Sequence, residues 1–167
     1  MSIVIHESDL LFGEYKKEHV FHIEQSTTYK SLGTNIRVIE FVLRHKNNVI
    51  LMIEAKSSSP KPGNLDDFED FIEEIREKFV HSVDLFFSVI IGRINDREND
   101  MPDYFKSVDY SNVRIKMLLV INGHKINWLP PVSNALHQKL KRQIKNWQLE
   151  LAVINHEQAK EYGLLKT

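Results

Sequence analysis

Three charged side chains interrupt the most apolar stretch of this 167-residue chain: Glu40, Glu54 and Lys56. Ile36 to Arg44 reads Ile-Arg-Val-Ile-Glu-Phe-Val-Leu-Arg, and Val49 to Lys56 reads Val-Ile-Leu-Met-Ile-Glu-Ala-Lys. An ionised group taken out of water costs several kcal/mol, so such groups stay buried only when paired or bound to a metal ion. Two carboxylates and one ammonium can therefore form an ion-paired cluster or a cation site. Pairing alone needs fewer than three charges in one hairpin.

The elements that must position these groups are two strands and the turn between them. Val-, Ile-, Leu- and Phe-rich runs flanking a short polar segment predict a hairpin of buried strands. Side chains alternate along a strand, so Glu54 and Lys56 share a face with Ile50 and Met52, while Val49, Leu51, Ile53 and Ala55 take the other. Glu40 falls on the face of Ile36, Val38 and Val42, opposite Ile39, Phe41 and Leu43. A three-residue loop, Lys46-Asn47-Asn48, sets His45 against Val49 and brings Glu40 opposite Glu54. A loop one residue shorter or longer would send them to opposite faces. Such loops usually need one left-handed residue, which Asn tolerates.

An acid on one strand followed by Glu-x-Lys at the end of the next resembles the PD-(D/E)XK nuclease superfamily. Glu40 matches the first acid, and Glu54-Ala55-Lys56 match the second acid, spacer and lysine. The chain departs from the motif in having Glu for Asp at position 40 and Ile39 for the preceding Pro. No strong helix precedes Glu40, where the superfamily commonly brings another acid to the metal site; Glu24 is the nearest candidate for that acid and Glu14 the next.

The resemblance implies an α/β fold with a restriction-endonuclease-like core, a mixed β-sheet flanked by helices, in a single domain over residues 1–167. It implies an Mg²⁺- or Mn²⁺-dependent endonuclease that hydrolyses phosphodiester bonds, in DNA first of all, in a defence or repair setting. Glu40, Glu54 and the Ala55 carbonyl, with Glu24, become the metal ligands; oxygen donors suit these hard cations. Lys56 orients or helps deprotonate the attacking water and offsets developing charge. The alternative is a non-catalytic module of the same fold that binds nucleic acid or a protein partner.

The rest of the chain supplies the frame. Ser2 to His6 and His19 to Glu24 are expected edge strands, and Ser26 to Gly33 a turn or short helix. His19 and His22 lack a His-Glu-x-x-His or cysteine context, which argues against zinc. Ser57 to Gly63 is a loop, in which Ser58 follows Lys56 closely enough to hydrogen-bond a phosphate. Asn64 caps a long helix ending near Gly92; its apolar stripe includes Phe68, Ile72, Ile75, Phe79, Val83 and Phe86. Glu69, Asp70, Glu73, Glu74 and Glu77 are expected on its solvated side. Ile94 to Asn112 reads as a surface loop, Val113 to Asn122 as a strand, Pro130 or Pro131 to Asn146 as a helix, Leu149 to Ile154 as a strand and Glu157 to Leu165 as a terminal helix.

No acid occurs from Gly123 to Leu149. The helix in that span carries Lys139, Lys141, Arg142 and Lys145, a surface able to follow a phosphate backbone. Formal net charge is −1, so nucleic-acid binding must come from such uneven distribution rather than from the whole. The chain has no cysteine, which excludes disulfides and thiolate chemistry. No apolar run reaches membrane-span length and the first residues lack a signal-peptide pattern, so a cytoplasmic protein with no membrane partner is expected. A homodimer stays open.

Overall fold

The computed structural model describes residues 1–167, the Asn47 side chain apart. Its amino-terminal strands, β1 (Ser2–Glu7) and β2 (Leu10–Lys16), pair with each other in an antiparallel hairpin. Gly13 in β2 has φ +131°, and a Cβ there would lie 2.9 Å from the Ile3 carbonyl oxygen, so the hairpin closes only on a glycine. After β3 (Val20–Phe21) comes α1 (Thr27–Lys30), capped by the Ser26 hydroxyl, which accepts the Tyr29 N–H. There follow β4 (Phe41–His45), β5 (Val49–Lys56), α2 (Leu65–Ile90), α3 (Asp103–Lys106), β6 (Arg114–Ile121), α4 (Leu129–Lys139), α5 (Lys141–Trp147), β7 (Glu150–Asn155) and α6 (His156–Glu161).

Strands β3-β4-β5-β6-β7 form one mixed sheet in that order: β4 runs antiparallel to both β3 and β5, and β5, β6 and β7 are parallel. The expected hairpin register is present, with His45 opposite Val49 and Phe41 opposite Ile53. Lys46–Asn48 make one 3₁₀ turn, and Asn48 is the left-handed residue at φ +57°. Residues 36–40 are not in a strand: β4 begins at Phe41, so Glu40 sits on the bend that leads into it.

Each parallel connection must cross the sheet, and both crossovers advance in the same direction. Right-handed connections of that kind land on one face, which is where α2 and α4 meet. Ile50 and Met52 of β5, Met117 and Leu119 of β6, Ile75 and Phe79 of α2, and Val132 and Leu136 of α4 share one core. The opposite face is covered mainly by the β1–β2 hairpin and α6, whose Ile5, Phe12, Tyr15 and Ala159 pack on Leu51, Ile53, Ala55 and Val120. The sheet is thus flanked by helices, with a hairpin filling most of its second side.

Two other expectations need correction. Residues 94–112 are not merely a surface loop: Met101 and Phe105 are fully buried, and Asp96 accepts the N–H groups of Asp100 and Met101. The basic helix is also not continuous, because α4 ends at Lys139 and α5 starts after Leu140. Among the described residues, no helix is long and apolar enough to cross a membrane.

Candidate functional site

The charged groups of β5 point into the gap between the sheet and α2. Glu54 is fully buried, whereas Lys56, at the strand end, keeps about a quarter of its side chain exposed, 24%. Glu40 reaches the same face with 11% of its side chain exposed. The link between the carboxylates is Lys78 of α2, whose Nζ lies 2.8 Å from Glu54 Oε1 and 3.8 Å from Glu40 Oε1. Lys56 Nζ lies 3.5 Å from the same Glu54 oxygen and donates to Glu74 Oε1 at 2.6 Å.

Helical spacing explains how α2 supplies these partners. Glu74, Lys78 and Ser82 recur every four residues, so one face of the helix carries them in a row. Ser82 Oγ accepts the Ile39 N–H at 2.9 Å, anchoring the segment that delivers Glu40. Glu74, expected on the solvated side, therefore faces the site. Lys78 could have been found in the sequence as the cation beside Ile75 and Phe79 on the buried stripe.

A second group of acids adjoins the first. Ligand oxygens of Glu7, Glu24 and Glu40 all lie within 4.8 Å of one another. Glu24, the nearest candidate for an additional acid, thus stands beside Glu40. Glu14 is elsewhere, paired with Lys166 at 2.8 Å. Glu7 ends β1 and carries no local sequence signal; the hairpin alone brings it here.

Carboxylates outnumber cations in this cluster, and proton affinities rise accordingly. Burial, hydrogen bonding with Glu24 and the charge of Glu54 push Glu40 up to about 9. Burial also raises Glu54, although Lys78 and Lys56 oppose it. Burial works against the charge of Lys78, but Glu54, Glu40 and Glu24 hold its pKa above the ordinary value. Partial burial likewise disfavours ionised Glu74, yet the Lys56 hydrogen bond and the nearby lysine charges keep it low. Glu54 Oε2 has no hydrogen-bond partner at all.

The donor set is entirely oxygen, the choice of Mg²⁺ or Mn²⁺ over softer metals. The Glu7, Glu24 and Glu40 carboxylates are close enough together to hold such a cation; Glu54, with its orphaned oxygen, lies outside that trio. The Ala55 side chain packs into the opposite core, and its residue pairs with Val120 in the parallel ladder.

The expected phosphate-contacting residues lie apart from this cluster. Lys139, Lys141, Arg142 and Lys145 are exposed on α4 and α5, with Lys139 3.9 Å from Glu73 of α2. Ser58 is exposed in the loop after β5 and lines a cleft with His124 and Trp128. On the other side of that loop, Asp70, Glu73, Glu74 and Glu77 line an acidic cleft of about 580 Å³. Comparison with family models, curated proteins and solved structures finds no significant match to this chain.

Proposed function

We propose that this chain is a metal-dependent nuclease of the PD-(D/E)XK type, built on a restriction-endonuclease-like core and hydrolysing phosphodiester bonds in DNA. The observation that carries the proposal is Glu54: fully buried, sharing Lys78 with Glu40, two residues from Lys56, and left with one unpartnered oxygen. An orphaned buried polar group costs about 1–3 kcal/mol, which a fold keeps where a ligand satisfies it. The strand order adds support, since the hairpin and the helix after it deliver the acids and the lysine to one sheet face.

Glu40 and Glu54 would hold Mg²⁺ or Mn²⁺, with Glu24 beside Glu40 and the Ala55 carbonyl as further oxygen donors. Such an ion, when bound, polarises the phosphate and acidifies a water. Lys56 supplies what carboxylates cannot: a mobile positive charge at the open edge of the cluster. Released from Glu74, its ammonium can orient the attacking water and offset charge on the phosphate oxygens. Glu74 holds that ammonium in place before substrate arrives.

A second reading, a non-catalytic binding module, is favoured by one observation: Lys56 and Lys78 already pair the carboxylates, and the adjoining cleft is acidic. Incubating purified protein with linear, nicked and single-stranded DNA, with and without Mn²⁺, separates the two. Mn²⁺-dependent cleavage that falls about 10²–10³-fold in Lys56→Ala, with DNA binding retained, is expected of the nuclease. Binding without cleavage by the wild type would leave the module.

A further inference from the structure

We infer that the cleft beside the Ser57–Gly63 loop is a stacking site for an unpaired nucleobase, and that the substrate is single-stranded or frayed nucleic acid. This rests on the nuclease function proposed above and names the substrate class of that site. The cleft opens at the carboxyl ends of the parallel strands β5 and β6. Its volume, about 520 Å³, lies within the roughly 300–1,000 Å³ of small-molecule sites. Ser58, Lys61, His124, Asn127, Trp128 and Pro131 are among its lining residues, and no acid is.

Three features select a base attached to a phosphate chain. Trp128 is 43% exposed and lines the cleft. Trp128 and His124 line the cleft together, their rings in T-shaped contact at 5.3 Å. Lys61 lines the cleft and offers a cation to a phosphate attached to a bound base, while Lys125, outside the lining, stands over the Trp128 ring with Nζ 5.1 Å from its centroid. Hydroxyl and amide groups of Ser58 and Asn127 can meet the polar edge of any base, whereas a purely apolar peptide would leave them unpaired.

The cleft is also tied to the acid cluster. The Asn122 N–H donates to the Lys56 carbonyl at 2.8 Å, and the serines of the loop directly follow Lys56. Pro60 borders both this cleft and the acidic one beside Glu74. A base held against Trp128 therefore places its chain alongside the strand end that carries Lys56. A closed duplex offers no free base face and gains nothing from the indole.

The test uses the full chain with Ca²⁺ in place of Mn²⁺, so that binding is read without turnover. A Trp147→Phe background leaves Trp128 as the sole indole. Expected results are quenching of its fluorescence by oligo(dT) and not by a relaxed closed-circular duplex, and a roughly 5- to 150-fold loss of oligo(dT) affinity in Trp128→Ala, the range of one stacked base. Trp128→Phe should restore most of that loss. Equal oligo(dT) affinity in Trp128→Ala, or equal quenching by duplex, overturns the inference. Mn²⁺-dependent cleavage in the same Trp128→Ala protein keeps the outcomes distinct. Undiminished cleavage of single strands with unchanged affinity sinks the stacking site alone. Trp128-dependent binding with no cleavage by the wild type sinks the nuclease and leaves the stacking site.

Discussion

The two faces of β5 come from alternate residues of one strand, yet they are built by different rules. Leu51, Ile53 and Ala55 pack with Phe12, Phe41 and Tyr15 in an apolar core, and Glu54 on the other face is the one fully buried ionisable carboxylate among the described residues. On the other side Glu54 and Lys56 follow Ile50 and Met52 into a gap where acids outnumber lysines and one oxygen finds no partner. The first face is optimised for packing. The second gives up stability at the carboxyl end of the strand, the pattern of a site whose geometry serves something other than the fold.

Removing charge from the second face tests that contrast most strongly. Lys78→Met leaves Glu54 buried without its nearest cation, which should lower stability by about 3–5 kcal/mol in urea titrations. Glu54→Leu combined with Lys78→Met replaces the pair by apolar groups of similar size and should match or exceed the wild type. Such recovery would mean the charges are kept for chemistry. A double variant as unstable as Lys78→Met would make the pair structural and erase the difference between the faces.

The matching change on the first face is Ile53→Ala. Ile53 is fully buried, and the cavity left behind should cost about 2–5 kcal/mol. Its effect on Mn²⁺ binding, followed by calorimetry, should be absent although the residue is next to Glu54 in sequence. A large loss of affinity would show that the two faces are coupled through the strand.

The contrast also has a pH signature. Glu40 holds its proton in the folded protein up to about 9, against 4.5 for the free group. Between those values the unfolded chain has lost the proton and the folded one has not, so stability falls as pH rises, by at most about 1.4 kcal/mol per unit. The contribution is fully present below about pH 4.5. Thermal melts of metal-free protein across this window should show the decline, and Glu40→Gln should flatten it. Because a divalent cation needs the ionised carboxylate, Mn²⁺ affinity should rise over the same range.

How much of this was legible in the sequence follows from the range of each signal. The hairpin register depended on a three-residue turn with an Asn in left-handed geometry, a local feature, and it placed Glu40 and Glu54 on one face. Glu24 was named by proximity to Glu40 along the chain. Glu74 reads as solvated until the neighbours of α2 are known, whereas Lys78 is betrayed in the sequence only by its place beside Ile75 and Phe79. Glu7 was out of reach altogether, since it arrives on the β1–β2 hairpin, and β2 itself was not anticipated. Strand alternation puts Ile39 on the face of Phe41, but the bend before β4 turns it into the α2 core, with its N–H on Ser82.

The smallest effect is expected farthest from β5, on the basic surface of α4 and α5. Lys141 and Arg142 are exposed, and exposed charges contribute about 0–1 kcal/mol, so replacing both with Gln should leave the melting temperature nearly unchanged. Binding is where the pair would register. If a phosphate backbone crosses α5, each lost contact to a single strand removes about 0.7 from the slope of log affinity against log salt, equally for all sequences. Anisotropy titrations of oligo(dT) at several salt concentrations measure that slope. A slope lowered by about 1.4, with Trp128 quenching intact, would extend the nucleic-acid path from the stacking cleft onto α5. An unchanged slope would confine the path to Lys61 and Lys125, close to Lys56, and make the α5 cations a solvated face.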